Sequence, residues 1–167
     1  MASGNIVNFE GKTDFYSSLE ELENASDIII KGEKKSETET NVIRSEIDGE
    51  VAGGYTLSNF EITKVYKNSL NDKEIKEQNT VKISEVSFYD EETHSAYTIN
   101  GYQNMKKNNE YLLFLSKEED GNFITKAVTF GKIPLNTNDL EISSDENGEL
   151  DQNVYLKIFN AAKEKYN

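Results

Sequence analysis

The chain has 167 residues, with 31 acidic and 18 basic side chains, so its formal net charge is −13 at pH 7. This length suits one domain, and the acidity disfavours binding to nucleic acid or to anionic membrane surfaces, because both are negatively charged themselves. The sequence has no cysteine, which excludes disulfides, thiolate catalysis and cysteine-based metal sites. It also has no apolar run long enough for a transmembrane segment.

The first part of the chain predicts an arm and a helix. Residues 1–12 are polar and contain glycine, and we expect a flexible N-terminal arm. A helix is predicted over residues 13–25, with Thr13 or Asp14 as its cap. Its apolar residues recur at intervals of three and four, the spacing of one helix face, at Phe15, Leu19, Leu22 and Ala25.

A first strand is predicted at Asp27–Glu33. Its three consecutive isoleucines, Ile28–Ile30, indicate burial on both faces of a sheet, and Gly32 marks a bend. The segment 34–54 is polar and acidic. We expect it to extend the strand, to turn at Asp48-Gly49 and to be the least ordered internal segment.

The second strand, Tyr55–Lys67, is the longest β pattern in the sequence. It has no glycine or proline, and from Phe60 its side chains alternate between two faces. Its length of about 13 residues exceeds the usual five or six. A strand this long is typical of a sheet that bends, carries bulges or closes on itself.

Further strands are separated by turn signals. They are predicted around Val81 and Ile83 with an extension toward Phe88, at Ala96–Ile99, at Tyr111–Leu115, and at Phe123–Phe130 after a hairpin turn. A last helix, over residues 152–165, has an apolar face formed by Val154, Tyr155, Ile158, Phe159 and Ala162.

The order of elements predicts a mainly β fold with flanking helices, of the α+β class. We expect a five- to six-stranded antiparallel OB-type Greek-key barrel over residues 27–135, with an N-terminal and a C-terminal helix packed on it. Residues 13–167 would then form a single OB-fold domain. No βαβ alternation is present that would indicate a parallel sheet.

Four segments resemble a known family. They are Ala25–Gly32, Phe60–Lys67, Thr80–Ile83 and Asn109–Leu115. Together they are similar to the netrin-like and metalloproteinase-inhibitor-like (TIMP-like) modules, over about residues 25–130. The resemblance implies an OB-type β-barrel with terminal helices, as in small exported or lipoprotein-type bacterial proteins without an assigned activity.

The chain departs from this family at the inhibitory group. In the eukaryotic inhibitors an N-terminal cysteine and its free amino group meet the zinc of the target. This chain contains no cysteine. The resemblance therefore does not extend to protease inhibition by that route.

Catalytic and metal-binding patterns are weak. His94, the only histidine, lies in the acidic turn that begins at Asp90, and we interpret it as an exposed loop residue rather than a metal ligand or base. The acidic stretch Asp145–Asp151 has its glycine in the wrong place for an EF-hand loop. No nucleophile elbow, P-loop or dinucleotide-binding motif occurs. We predict no catalytic residues, no metal site and no cofactor.

Tyrosines are the remaining candidates for ligand contact. Tyr89, Tyr97 and Tyr102 fall in or beside predicted loops and could stack on sugars or peptides. The alternative is that they finish the edge of the core with a wet hydroxyl.

These observations predict a non-enzymatic, extracytoplasmic binding or interaction protein. Its partner would be a protein or carbohydrate, and we expect a monomer. Met1–Gly4 lacks the features of an export signal, so secretion or a lipid anchor requires a signal, removed in the mature protein, ahead of residue 5. The alternatives are a cytoplasmic regulatory protein of the same fold and a hydrolase that uses surface carboxylates.

Overall fold

A computed structural model describes residues 5–9, 15–142 and 152–166. Within these ranges the protein is mainly β, as predicted, with nine strands in two sheets and two helices. The strands are β1 (Asn5–Phe9), β2 (Ile28–Arg44), β3 (Val51–Asn68), β4 (Thr80–Glu85), β5 (Ser87–Asp90), β6 (Ser95–Ile99), β7 (Glu110–Lys117), β8 (Phe123–Thr125) and β9 (Lys132–Pro134). The helices are α1 (Leu19–Ala25) and α2 (Gln152–Lys165), and neither has both the length and the apolar character needed to cross a membrane.

The two longest strands, β2 and β3, form an antiparallel hairpin. They have 17 and 18 residues, and their register shifts at five places, as expected for long strands that bend. The predicted turn near Asp48-Gly49 is confirmed, with Gly49 at a φ of 72° that favours glycine. Most of the segment 34–54, which we expected to be the least ordered, is strand in the structure. Thr and Val at alternating positions support β structure there.

The larger sheet has six strands in the order β2-β3-β4-β8-β7-β9, and β7 also pairs with β2. The expectation of a purely antiparallel sheet is wrong, because β4 and β8 pair in parallel. Strand directions give the reason. β4 is antiparallel to β3, β3 to β2, β2 to β7 and β7 to β8, so β4 and β8 run the same way where they meet.

The smaller sheet has the order β1-β6-β5. Its first strand differs from the expected N-terminal arm, since Asn5–Phe9 pairs in parallel with β6. The Phe9 ring stacks on Tyr97 at 5.6 Å between centroids, which gives this short segment an apolar anchor. The amide N–H of Gly101 also donates to Asn8 Oδ1 at 3.1 Å.

The core lies on both faces of the larger sheet. On one face Ile28 and Ile30 belong to a cluster with Phe60, Ile62 and others, and on the other face Ile29 belongs to a cluster with α2. Alternation along the strand sends these isoleucines in opposite directions. The predicted burial of the isoleucine triplet on both faces is confirmed, with each isoleucine at most 3% exposed.

The helices differ in how well the sequence predicted them. The predicted range 152–165 coincides with α2, whose Tyr155, Ile158 and Phe159 are buried. In contrast, α1 begins at Leu19 rather than at residue 13, because Ser18 is its cap and accepts a hydrogen bond from the Glu21 N–H at 3.2 Å.

The strand predicted at Phe123–Phe130 is shorter than expected. Only Phe123–Thr125 forms a strand, and Ala127 and Val128 have positive φ values of 49° and 59°. The chain turns there so that the Phe130 ring packs against Tyr155 of α2, at 5.5 Å between centroids. Packing against the helix thus overrides the local alternation of the sequence.

Candidate functional site

Glu85 is the centre of a buried polar cluster. It ends β4, faces the core after Val81 and Ile83, and has no exposed surface. Its Oε1 accepts hydrogen bonds from the Tyr102 hydroxyl at 2.7 Å and the Met105 N–H at 2.6 Å. Its Oε2 accepts from Lys34 at 2.8 Å and from the Ser58 hydroxyl. Four donors occupy this carboxylate, so it is saturated.

Lys34 is the cation of this cluster. It is 2% exposed, and its Nζ donates to Glu85, to Glu37 Oε2 at 2.7 Å and to the Met105 carbonyl at 2.8 Å. Three acceptors satisfy all three N–H donors of an ammonium group. The ion pair ties β2 to β4 and to the segment that precedes β7.

Lys132 and Glu141 form a second part of the cluster. The Lys132 ammonium donates to the Gln103 carbonyl and to the Glu141 carbonyl, and it lies 4.4 Å from the centre of the Tyr102 ring. Burial lowers the pKa of Lys132 to about 8, although the carboxylates of Glu85 and Glu141 act to raise it.

Glu141 is held by Tyr111. The Tyr111 hydroxyl donates to Glu141 Oε1 at 2.7 Å and accepts from the Lys106 N–H at 2.7 Å. Burial raises the pKa values of Tyr102 and Tyr111 above the usual range, so both hydroxyls stay protonated and act as donors. The other oxygen, Glu141 Oε2, is buried and has no hydrogen-bond partner in the described part of the chain.

An open cleft lies at the surface between β2 and β5. Its volume is about 500 Å³, and it is lined by Thr40, Val42, Arg44, Tyr89, Asp90, Glu91 and Glu92. The three β2 residues alternate along the strand and therefore share one face of it. Tyr89 is 43% exposed, so a large part of its side chain is available to a partner.

Arg44 and Asp90 fix the geometry of this cleft. Arg44 Nη2 lies 2.6 Å from Asp90 Oδ1 and 3.1 Å from Glu92 Oε2. Burial acts to raise the pKa of Asp90, but hydrogen bonds from Thr93 and Arg44 outweigh it and hold the pKa below its usual range. The Asp90 carboxylate therefore stays ionised and bonded, while Glu92 is 76% exposed.

The three tyrosines predicted to contact a ligand do not lie in one place. Tyr89 lines the cleft. Tyr97 is buried between two rings, stacked on Phe9 at 5.6 Å and on Phe88 at 5.3 Å. Tyr102 is 1% exposed and donates to Glu85. Tyr89 is thus the most exposed of the three, at 43%.

Other predicted features have separate positions. His94 is exposed in the turn between β5 and β6, where its φ is 51°. The segment Asp145–Asp151, weighed as a calcium loop, lies outside the described residues. Among the residues that the structure describes, no group of three or more His, Cys, Asp or Glu side chains could hold a metal ion.

Alternation along a strand is the sequence signal that could have located the buried cluster. Val81, Ile83 and Glu85 occupy alternating positions of one strand, so the glutamate falls on the apolar face. A carboxylate at a core-facing position needs partners. Lys34 carries the same signal, since it continues the alternation of Ile28 and Ile30 along β2. Lys132 and Glu141 carry no comparable signal.

No protein-family model matches the chain, and no curated protein matches it.

Proposed function

We propose that the protein is a non-enzymatic binding module whose partner docks in the cleft between β2 and β5. The observation that carries this proposal is the half-exposed Tyr89 ring in an open cleft of about 500 Å³. A tyrosine contributes a large apolar area and a hydroxyl at a low cost in conformational entropy. The Arg44–Asp90 ion pair keeps the cleft preformed, which lowers the cost of binding.

The proposed scaffold is an OB-type barrel with two helices outside it. The pairings β2–β3, β3–β4, β4–β8, β8–β7 and β7–β2 support this, because they lead from β2 back to β2. A circuit of five strands must contain at least one parallel pair, because an odd number of strands cannot alternate in direction throughout. The pair β4–β8 meets this requirement. A partly open five-stranded barrel is the architecture of the OB-fold.

The proposed relation to netrin-like and TIMP-like modules rests on the same strands. The four resembling segments contribute to β2, β3, β4 and β7, which are neighbours in the pairing circuit. The inhibitory cysteine of the eukaryotic inhibitors has no counterpart in this chain. The proposal therefore takes the scaffold from the family and leaves its zinc-directed inhibition aside.

The state of the acidic residues favours binding over catalysis. A hydrolase that works through carboxylates, such as a glycoside hydrolase, needs an acid with a raised pKa and a second carboxylate beside the substrate. In the cleft, hydrogen bonds hold the pKa of Asp90 low, and in the core four donors occupy Glu85. Neither group has the properties of a general acid.

Partner chemistry and location follow from charge and sequence. Glu91 and Glu92 are exposed beside Tyr89, so the cleft suits a protein or carbohydrate that offers hydrogen-bond donors or cations.

An extracytoplasmic location is part of the proposal and is supported by the sequence alone. The coding sequence upstream of residue 5 tests this location. An export signal that ends in a lipid-anchoring cysteine supports export. An in-frame start codon that is not followed by an export signal contradicts it.

Printed arrays of peptides and oligosaccharides test the binding site. The labelled full-length chain should bind a subset of spots, and Tyr89→Ala and Glu91→Gln/Glu92→Gln should each reduce that binding by about tenfold or more. Glu77→Gln/Glu119→Gln removes the same charge at exposed positions of other turns and should leave binding unchanged. Binding that survives both cleft variants would place the site elsewhere.

A further inference from the structure

The outer part of β2 has a free edge. β2 pairs with β7 over Ile28–Glu33, but from Ser36 to Arg44 its only described partner is β3. The register with β3 is regular from Glu39 to Ile43. Of the described strands, none pairs with the other side of this stretch. Backbone N–H and C=O groups on such an edge are ready to pair with another strand.

Two isoleucines at the end of this edge are exposed. Ile43 is 55% exposed on β2, and Ile47 is 97% exposed in the turn that follows. The turn is well bonded, with the Ser45 N–H donating to the Glu50 carbonyl at 2.8 Å and the Gly49 N–H to the Ser45 carbonyl at 2.9 Å. These branched apolar side chains are therefore presented on a defined backbone, where a partner can cover them.

The charges around the edge select the partner. Glu39, Glu46 and Glu50 are exposed, and Arg44 is the one basic residue between positions 36 and 50. Arg44 is already paired with Asp90 at 2.6 Å and with Glu92 at 3.1 Å. An acidic edge on a chain of net charge −13 repels a second copy of the same chain and an anionic lipid surface, whereas it attracts a basic segment.

We propose that the free edge of β2 binds an extended basic segment of a partner protein by β-strand addition. Main-chain hydrogen bonds along Glu39–Ile43 supply affinity, as in other modes of strand addition. A Lys or Arg of the partner faces Glu39, and a branched or aromatic side chain covers Ile43 and Ile47. This inference rests on the proposed binding function and adds a second contact surface, on the same strand that lines the cleft.

A library of random dodecapeptides displayed on phage, selected against the full-length chain, tests the inference. We expect enriched sequences that combine Lys or Arg with Val, Ile or Phe. The best synthetic peptide, followed by fluorescence anisotropy, should bind Glu39→Lys and Ile47→Asp about tenfold more weakly than wild type. Glu119→Lys, in the exposed turn between β7 and β8, changes charge equally and should bind as wild type does. Circular dichroism of each variant checks that it is folded.

The backbone of the peptide separates strand addition from simple charge attraction. In strand addition only every second amide of the peptide faces β2. Two methylated series are therefore compared, one with N-methyl groups on the odd-numbered amides and one with N-methyl groups on the even-numbered amides. One methylated series should lose binding and the other should retain it. Equal binding of both series, equal binding to the Glu39→Lys and Ile47→Asp variants, or a library without enrichment would overturn the inference. A peptide that depends on Tyr89 but not on Glu39 or Ile47 would overturn it too, while the proposed function would stand.

Discussion

Substitution of Glu85 by Gln isolates the role of charge in the buried cluster. The change keeps the size of the side chain and one carbonyl oxygen, which can still accept from Tyr102 and the Met105 N–H. The amide nitrogen would face Lys34 Nζ, which now lies 2.8 Å from Glu85 Oε2 and is 2% exposed. The variant therefore leaves a buried ammonium group opposite a donor instead of a carboxylate.

The expected loss of unfolding free energy is large. Removal of one partner of a buried ion pair typically costs about 3–5 kcal/mol. For Glu85→Gln we expect the lower end, about 3 kcal/mol, because Lys34 keeps the half-exposed Glu37 carboxylate at 2.7 Å. Lys34→Met leaves the fully buried Glu85 carboxylate with three neutral donors and no described counter-ion within salt-bridge distance, so we expect a loss of about 3–5 kcal/mol. In Lys34→Met/Glu85→Gln neither charge of the buried pair remains, and the double variant should lose at least about 2 kcal/mol less than the sum of the single losses.

Urea unfolding followed by far-ultraviolet circular dichroism measures these differences. The sequence has nine tyrosines and no tryptophan, so tyrosine fluorescence serves as the second probe. Coincident transitions with both probes justify a two-state treatment. A Glu85→Gln loss below about 1 kcal/mol, or single losses that add within about 0.5 kcal/mol, would refute the reasoning that Lys34 depends on this carboxylate.

Three further predictions concern the cluster and the core. Burial lowers the pKa of Lys132 to about 8. Above about pH 8 the folded chain therefore binds fewer protons at this residue than the unfolded chain does. The contribution of Lys132 to the free energy of unfolding accordingly rises with pH. Between about pH 8 and about pH 9.5 the wild type should gain about 1.5 kcal/mol relative to Lys132→Met, measured by urea unfolding of both proteins at each pH. The comparison cancels the opposite contribution of the buried tyrosines, whose pKa values are raised. Parallel pH profiles of the two proteins would assign the slope to other groups. Phe114→Ala should cost about 3–5 kcal/mol in the same assay, because this fully buried ring packs between the sheet and α2, and a loss under about 1 kcal/mol would contradict its place in the core. Deletion of residues 152–167 uncovers the apolar surface that Tyr155, Ile158 and Phe159 now bury, so the truncated chain should aggregate in light-scattering measurements, whereas a soluble chain with cooperative unfolding would show that α2 is dispensable.

Elements with a strong internal period were predictable. The alternation in Tyr55–Lys67 marks most of β3, the apolar run Tyr111–Leu115 lies within β7, and the apolar face over residues 152–165 matches α2. In each case burial on one or two faces requires a fixed spacing along the chain. Local sequence therefore carries the information directly.

Elements that depend on a distant neighbour were not predictable in the same way. Asn5–Phe9 contains residues that favour β structure, Ile6, Val7 and Phe9, but it is too short to be recognised alone, and it forms a strand on the edge of β6 beside the Tyr97 ring. Ala127 and Val128 leave the strand conformation because Phe130 packs on α2. Tertiary contacts decide such segments, because β preference over a few residues depends strongly on context.

Sequence by itself determined the mainly β class, the two-sided burial of Ile28–Ile30 and the position of α2, because these follow from side-chain spacing. Only the tertiary structure decided which strands meet, and with them the cleft, the free edge of β2 and the buried polar cluster. Glu85 reaches Lys34 across 51 positions of the chain, and Asp90 reaches Arg44 across 46. No local spacing records such pairings, because they exist only once the strands have found their neighbours in the sheet.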